Sequence, residues 1–203
     1  MTDNLINEIR KRTYRYYYED GLVEIAIGLQ FLVIGLALWV VRDWLEGAAY
    51  ALVVSAGLVL LIWQGALGVK FLVTRLKTEI TYPRTGVVHY QTQNDRRPWR
   101  LVIAIAAIVL VSFFLPEGLI QMPVMVGTMM AVILFNIGGR VSLRRFQIVA
   151  LLPMLAGIWS MIRGWEEVRG VGFSFVICGV TLILTGAWTF RRYLKENPLV
   201  EAQ

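Results

Sequence analysis

Six long apolar blocks, separated by short charged or polar segments, constrain this chain more than any other feature. They run over residues 22–41, 47–69, 101–115, 118–137, 146–162 and 171–190. Each approaches the ~17–25 residues that carry a helix across a bilayer. The third block is short and borrows Trp99 and Arg100, whose side chains reach back to an interface. A backbone in lipid must satisfy its own hydrogen bonds, so the blocks are expected to be helical. They do not alternate with a period of two, which argues against a barrel. Composition agrees, with 57% hydrophobic and only 17% charged residues; a soluble domain averages ~25% charged. The expected fold is an all-α integral membrane protein, a six-transmembrane-helix bundle treated as one membrane domain over 1–203.

The basic residues set an expected orientation. Of 20 Lys and Arg residues, all but Arg42, Arg163 and Arg169 fall in the segments 1–21, 70–100, 138–145 and 191–203. The positive-inside rule places those segments in the cytoplasm, with both termini inside. Trp39, Trp44, Trp159 and Trp165 then fall near outer ends of spans, and Trp63, Trp99 and Trp188 near inner ends, as in an aromatic belt. The net charge of +6 is accounted for by a basic face against anionic lipid headgroups, and no nucleic acid is needed to explain it. No cleavable signal peptide is expected, because the first apolar block is too long for one; it reads as an uncleaved anchor.

The one sizeable polar segment is 70–100. Within it, EITYPRTGVVHYQT reads as two short strands around a Pro-Arg-Thr-Gly turn, a small cytoplasmic β-hairpin. The N-terminal segment reads as a short amphipathic helix on the inner surface. Glu46-Gly47, Glu117-Gly118 and Glu167 before Gly170, each followed nine or ten residues later by another glycine, suggest a threefold hairpin repeat, but chance explains the pattern as well.

Two glycine series stand out. Gly21, Gly28 and Gly35 are spaced by seven, as are Gly172, Gly179 and Gly186. A seven-residue step drifts only ~20° around a helix, so each series makes one smooth groove. Small residues let helix backbones approach in lipid, so both grooves are expected to face protein.

Glu24 lies within about a quarter-turn of Gly28, Phe31 and Gly35 at ~100° per residue. It therefore points into the bundle, one turn from the cytoplasmic surface, with Glu19 and Asp20 at the start of the same helix, where carboxylates suit the dipole. Two readings stand. An intramembrane carboxylate is a functional-site candidate for ion or proton binding. Alternatively, it anchors the first span through an ion pair to Arg84, Arg140, Arg144 or Arg145, and its shallow position favours this. The candidate cluster is Glu19, Asp20, Glu24 and Arg84. Polar groups near midplane are sparse: Gln30, Thr128 and Thr181 do not line a path. Pro153 is expected to kink the fifth span, and Pro123 to disturb the outer end of the fourth.

Nothing in the chain points to an enzyme. His89 is the only histidine, with no His or Cys near it in sequence to complete a metal site. Cys178 has no neighbouring base and reads as inert packing. There is no P-loop, GxSxG or HExxH pattern. No catalytic residue, metal or cofactor is expected.

YYYEDGL at 16–22 and TYPRTG at 81–86 resemble segments of uncharacterised bacterial multi-pass membrane proteins. The likeness covers the N-terminal half. It implies a bacterial inner membrane and brings no activity, cofactor or site residue. The function class expected is an accessory or scaffold component with a possible protein partner at 70–100; the alternative is a small transporter or channel using Glu24.

Overall fold

The computed structural model describes residues 17–44, 68–85, 107 and 121–198. Four long helices dominate: α1 (Leu22–Trp44), α3 (Met122–Val141), α4 (Arg144–Ile162) and α5 (Glu167–Glu196). Each is long and apolar enough to cross a membrane. A shorter helical segment, α2, covers 68–85.

Two expectations are corrected here. The six-helix bundle with a β-hairpin does not stand: the described residues contain four candidate spans and no strand. The blocks at 47–69 and 101–115 lie almost wholly outside the described residues. The hairpin's first strand, 79–82, and the start of its turn, 83–85, are helical instead, through a π-helical stretch Lys77–Thr81 and a last turn Tyr82–Thr85; its second strand lies outside the described residues. The alternating Glu-Ile-Thr-Tyr pattern is overruled by contacts that a short sequence window does not contain. Thr74 and Thr78 return their hydroxyls to carbonyls four residues back. The widened turn aims both Lys77 and Thr81 at Asp20. Pro83 has no N–H to continue an α ladder, and a π-type bond from Tyr82 N–H to the Lys77 carbonyl precedes it.

Helix ends follow from local chemistry. The Asp20 carboxylate accepts a hydrogen bond from the Leu22 N–H at 3.2 Å, capping α1. Pro123 sits within the first two positions of α3, where its missing N–H is no loss. The turn from α4 to α5 uses Gly164 at φ +63°, with Trp165 N–H bonding Ser160 O and Gly164 N–H bonding Met161 O, a Schellman ending. Hydroxyls inside the spans are satisfied by their own helices: Thr128 donates to Val124 O at 2.7 Å and Thr181 to Ile177 O at 2.6 Å.

The four long helices form two antiparallel pairs, α1 with α5 and α3 with α4, and α5 also packs on α3 and α4. Between them lies a core of Met130, Leu134, Phe146, Val149, Ala150, Cys178 and Leu182. Outward faces stay apolar: Leu29, Val33 and Leu36 on α1, Ile148, Leu151 and Leu155 on α4. Such surfaces suit lipid rather than water.

The two glycine series meet each other. A Cβ added at Gly28 would lie 2.8 Å from Gly179 O, and one at Gly35 would lie 2.7 Å from Gly172 O. From the other side, a Cβ at Gly186 would lie 2.9 Å from Gly21 O. Backbone therefore rests on backbone at three levels. Gly21 is doubly constrained, since its φ of +72° also favours glycine.

Candidate functional site, a buried ionic cluster at one end of the bundle

Asp20 and Glu24 start α1 one turn apart, and both are about 1% exposed. Burying two carboxylates in so apolar a chain is unfavourable unless each is paired and hydrogen-bonded. Each has a cation, and the two cations come from different elements.

Lys77 of α2 places its Nζ 2.9 Å from Asp20 Oδ2, and Thr81 donates to the same oxygen at 3.2 Å. Lys77 also donates to Tyr17 O at 2.6 Å, with its ammonium 4.3 Å from the Tyr17 ring centroid. Burial pushes the Lys77 pKa below its ordinary value, against the opposing pull of Asp20. Burial likewise pushes the Tyr17 phenol up, assisted by the Asp20 charge. Val73, one helical turn before Lys77, is buried against Val23 and Ala26 and fixes α2 along α1.

Arg145, in the first turn of α4, reaches the second carboxylate. Its Nη2 lies 2.6 Å from Glu24 Oε1. The approach is off the ideal hydrogen-bond line, so this is mainly a charge contact. The same nitrogen donates to Tyr18 O, and Nη1 donates to Thr189 Oγ1 of α5 at 2.8 Å. The Thr189 hydroxyl in turn donates a hydrogen bond to Thr185 O at 2.8 Å. Arg145 therefore joins α1, α4 and α5 through one planar head, which a lysine would not reproduce. The Tyr18 ring packs edge-on against Phe146, with centroids 5.6 Å apart.

Of the expected cluster, Asp20 and Glu24 are brought together, while Glu19 is exposed. Arg84 does not join them; it donates to Asn197 O at 2.8 Å, tying α2 to the end of α5. Of the four arginines expected as partners for Glu24, it is Arg145 that pairs with it. Lys77, Thr81 and Thr189 escaped sequence reading. The local signal for Lys77 and Thr81 is that they are four apart and share a helix face, which a strand at Thr81 hides. The expected glycines are all accounted for by the α1–α5 contact described above. Cys178 is fully buried in the core. His89 lies outside the described residues. Among the described residues, no three His, Cys, Asp or Glu side chains converge as metal ligands would.

The chemistry available here is charge pairing that closes α2, α4 and α5 around the start of α1. Two surface grooves, one lined by residues such as Thr128, Phe135, Asn136 and Met154 and one by Ala187, Trp188, Arg191 and Lys195, are not lined by Glu24. Compared with known protein families, curated proteins and solved structures, the chain matches none.

Proposed function

We propose that this chain is a non-catalytic accessory or scaffold component of a bacterial inner membrane, with both termini and a basic face in the cytoplasm. One observation carries the reading: each of the two buried carboxylates among the described residues is closed by a cation from another element. A carboxylate that couples transport must exchange its ion with water, whereas these are built into the packing. Midplane hydroxyls bonded to their own helices support the same reading. The asymmetry of Lys and Arg supports the orientation. The proposed working surface is the segment 70–100; within its described part, Arg84 donates to Asn197 O at the end of α5.

The second reading, a small transporter or channel, rests on Glu24 Oε1, which lacks a well-aligned donor. Proteoliposomes under an imposed proton or cation gradient separate the two. The accessory reading predicts flux no greater than in empty vesicles for both wild type and Glu24→Gln. Flux in wild type that Glu24→Gln abolishes would establish transport instead. Pull-down through a tagged 70–100 segment in native membranes tests the partner directly.

A further inference from the structure

The C-terminal half of α5, just over its last four turns, carries a stripe that runs from apolar to cationic. Val180, Leu184, Trp188, Arg191 and Lys195 fall within about 80° of one another at 100° per residue. The stripe runs about 22 Å along the axis at 1.5 Å per residue. It is fully presented outward: Leu184 is 65% exposed and Trp188 76%, and Arg191 and Lys195 are exposed too. Its order is apolar, then aromatic, then cationic. Ala187, between Trp188 and the preceding turn, leaves a shallow groove bounded by Trp188, Arg191 and Lys195.

Arg192, next in sequence, is already engaged, with Nε 2.7 Å from Glu196 Oε1. Arg191 and Lys195, one turn apart, make no ion pair among the described residues. Two adjacent cations at the mouth of an apolar groove repel a second copy of the same face. They attract an anion whose attached tail matches the apolar part.

We infer that this stripe binds one anionic phospholipid, with the phosphate between Arg191 and Lys195, the glycerol ester region at the Trp188 ring and an acyl chain along Leu184 and Val180. A tryptophan at the ester level and cations at the phosphate level are the depths these side chains favour in a bilayer. The site gives the basic cytoplasmic face of the proposed function a defined lipid contact, and it rests on that membrane reading.

The test uses the full-length chain in phosphatidylcholine nanodiscs containing a fixed fraction of lipid brominated near the top of its acyl chains. Quenching of Trp188 is taken as the difference between wild type and Trp188→Phe. Each cation near an anionic surface contributes roughly a fivefold preference, partly shared between the two. Brominated phosphatidylglycerol should therefore quench Trp188 at least about threefold more strongly than brominated phosphatidylcholine at equal mole fraction. Arg191→Gln/Lys195→Gln should equalise the two lipids, while Arg191→Lys/Lys195→Arg and Arg192→Gln should keep the preference. Equal quenching in wild type, or a preference that survives the double Gln variant, overturns the lipid site while leaving the membrane reading intact. Absence of quenching by either lipid overturns both.

Discussion

The two antiparallel helix pairs reach close approach by different means. In α1–α5, glycine faces glycine at three levels, each seven residues from the next. In α3–α4, glycine faces proline. A Cβ on Gly127 would strike the Pro153 carbonyl, and one on Gly157 would strike that of Pro123. Each helix of the second pair carries the same four-residue spacing, Pro123 to Gly127 and Pro153 to Gly157, and the two copies meet head to tail. What both pairs share is a carbonyl oxygen seated where a side chain would be. In lipid, where the hydrophobic effect between helices is absent, such close backbone contact supplies the dispersion and Cα–H···O attraction that holds a pair together. The pairs differ in how they end. The α3–α4 pair is joined by a short turn in which Ser142 takes φ +57°. The partners α1 and α5 are far apart in sequence, and their ends are fastened by ions instead.

The largest expected effect breaks the first seam outright. Gly28→Leu and Gly179→Leu each drive a branched side chain into a facing backbone and should destabilise by about 3 kcal/mol or more, with loss of folded yield. Thermal unfolding in detergent reads this, and unchanged stability in both variants would refute the seam. Next comes the ionic end. Arg145→Gln leaves Glu24 buried without its cation. Breaking a buried pair is worth ~3–5 kcal/mol, reduced here to about 2–3 because Arg145 keeps a quarter of its side chain exposed. Smaller substitutions sharpen the comparison of the two pairs. Gly28→Ala and Gly157→Ala should each destabilise by about 1–2 kcal/mol, with Gly157 the more sensitive because both its nearest atoms are backbone of Pro123. Pro123→Ala retains the carbonyl that faces Gly157 but removes a fully buried ring that lies against Gly170 of α5, and should destabilise by about 1–2 kcal/mol in the same thermal measurement; an unchanged stability would show that the ring contact contributes nothing. The smallest effect serves as the control. Gly139→Ala meets open space and should fall within about 0.5 kcal/mol of wild type.

Much of this was legible because long apolar runs and a fixed glycine spacing are local signals. The runs at 22–41, 118–137, 146–162 and 171–190 correspond to α1, α3, α4 and α5, with ends displaced by a few residues. The displacement has a cause. Met122 begins α3 because Pro123 suits a first turn, and α5 continues to Glu196 because nothing in FRRYLKE breaks a helix. The heptad glycines announced a groove on each helix without saying that the grooves were mates, since pairing between residues 151 positions apart, such as Gly28 and Gly179, leaves no local trace. The Pro-x-x-x-Gly pairs carry no local sign of their mates, because a proline within one helix signals only a disturbance of that helix. The strand expectation for 79–82 fails for a related reason: four residues of alternation cannot weigh the pull of a carboxylate 61 positions earlier on Thr81. The position of Glu24 on an inward face was available from helical geometry. The choice of Arg145 over Arg84 was not, because it depends on how α4 lies across α1 and α5.

The claim at the centre of this account is that Glu24 is a structural anchor closed by Arg145. A double-mutant cycle on thermal stability tests it most directly, using Glu24→Gln, Arg145→Gln and the combined variant. The account predicts that the double variant is no less stable than the worse single one, with a coupling energy of about 1.5 kcal/mol or more. Additive losses from the two single substitutions would show that the two side chains do not depend on each other, and would contradict it.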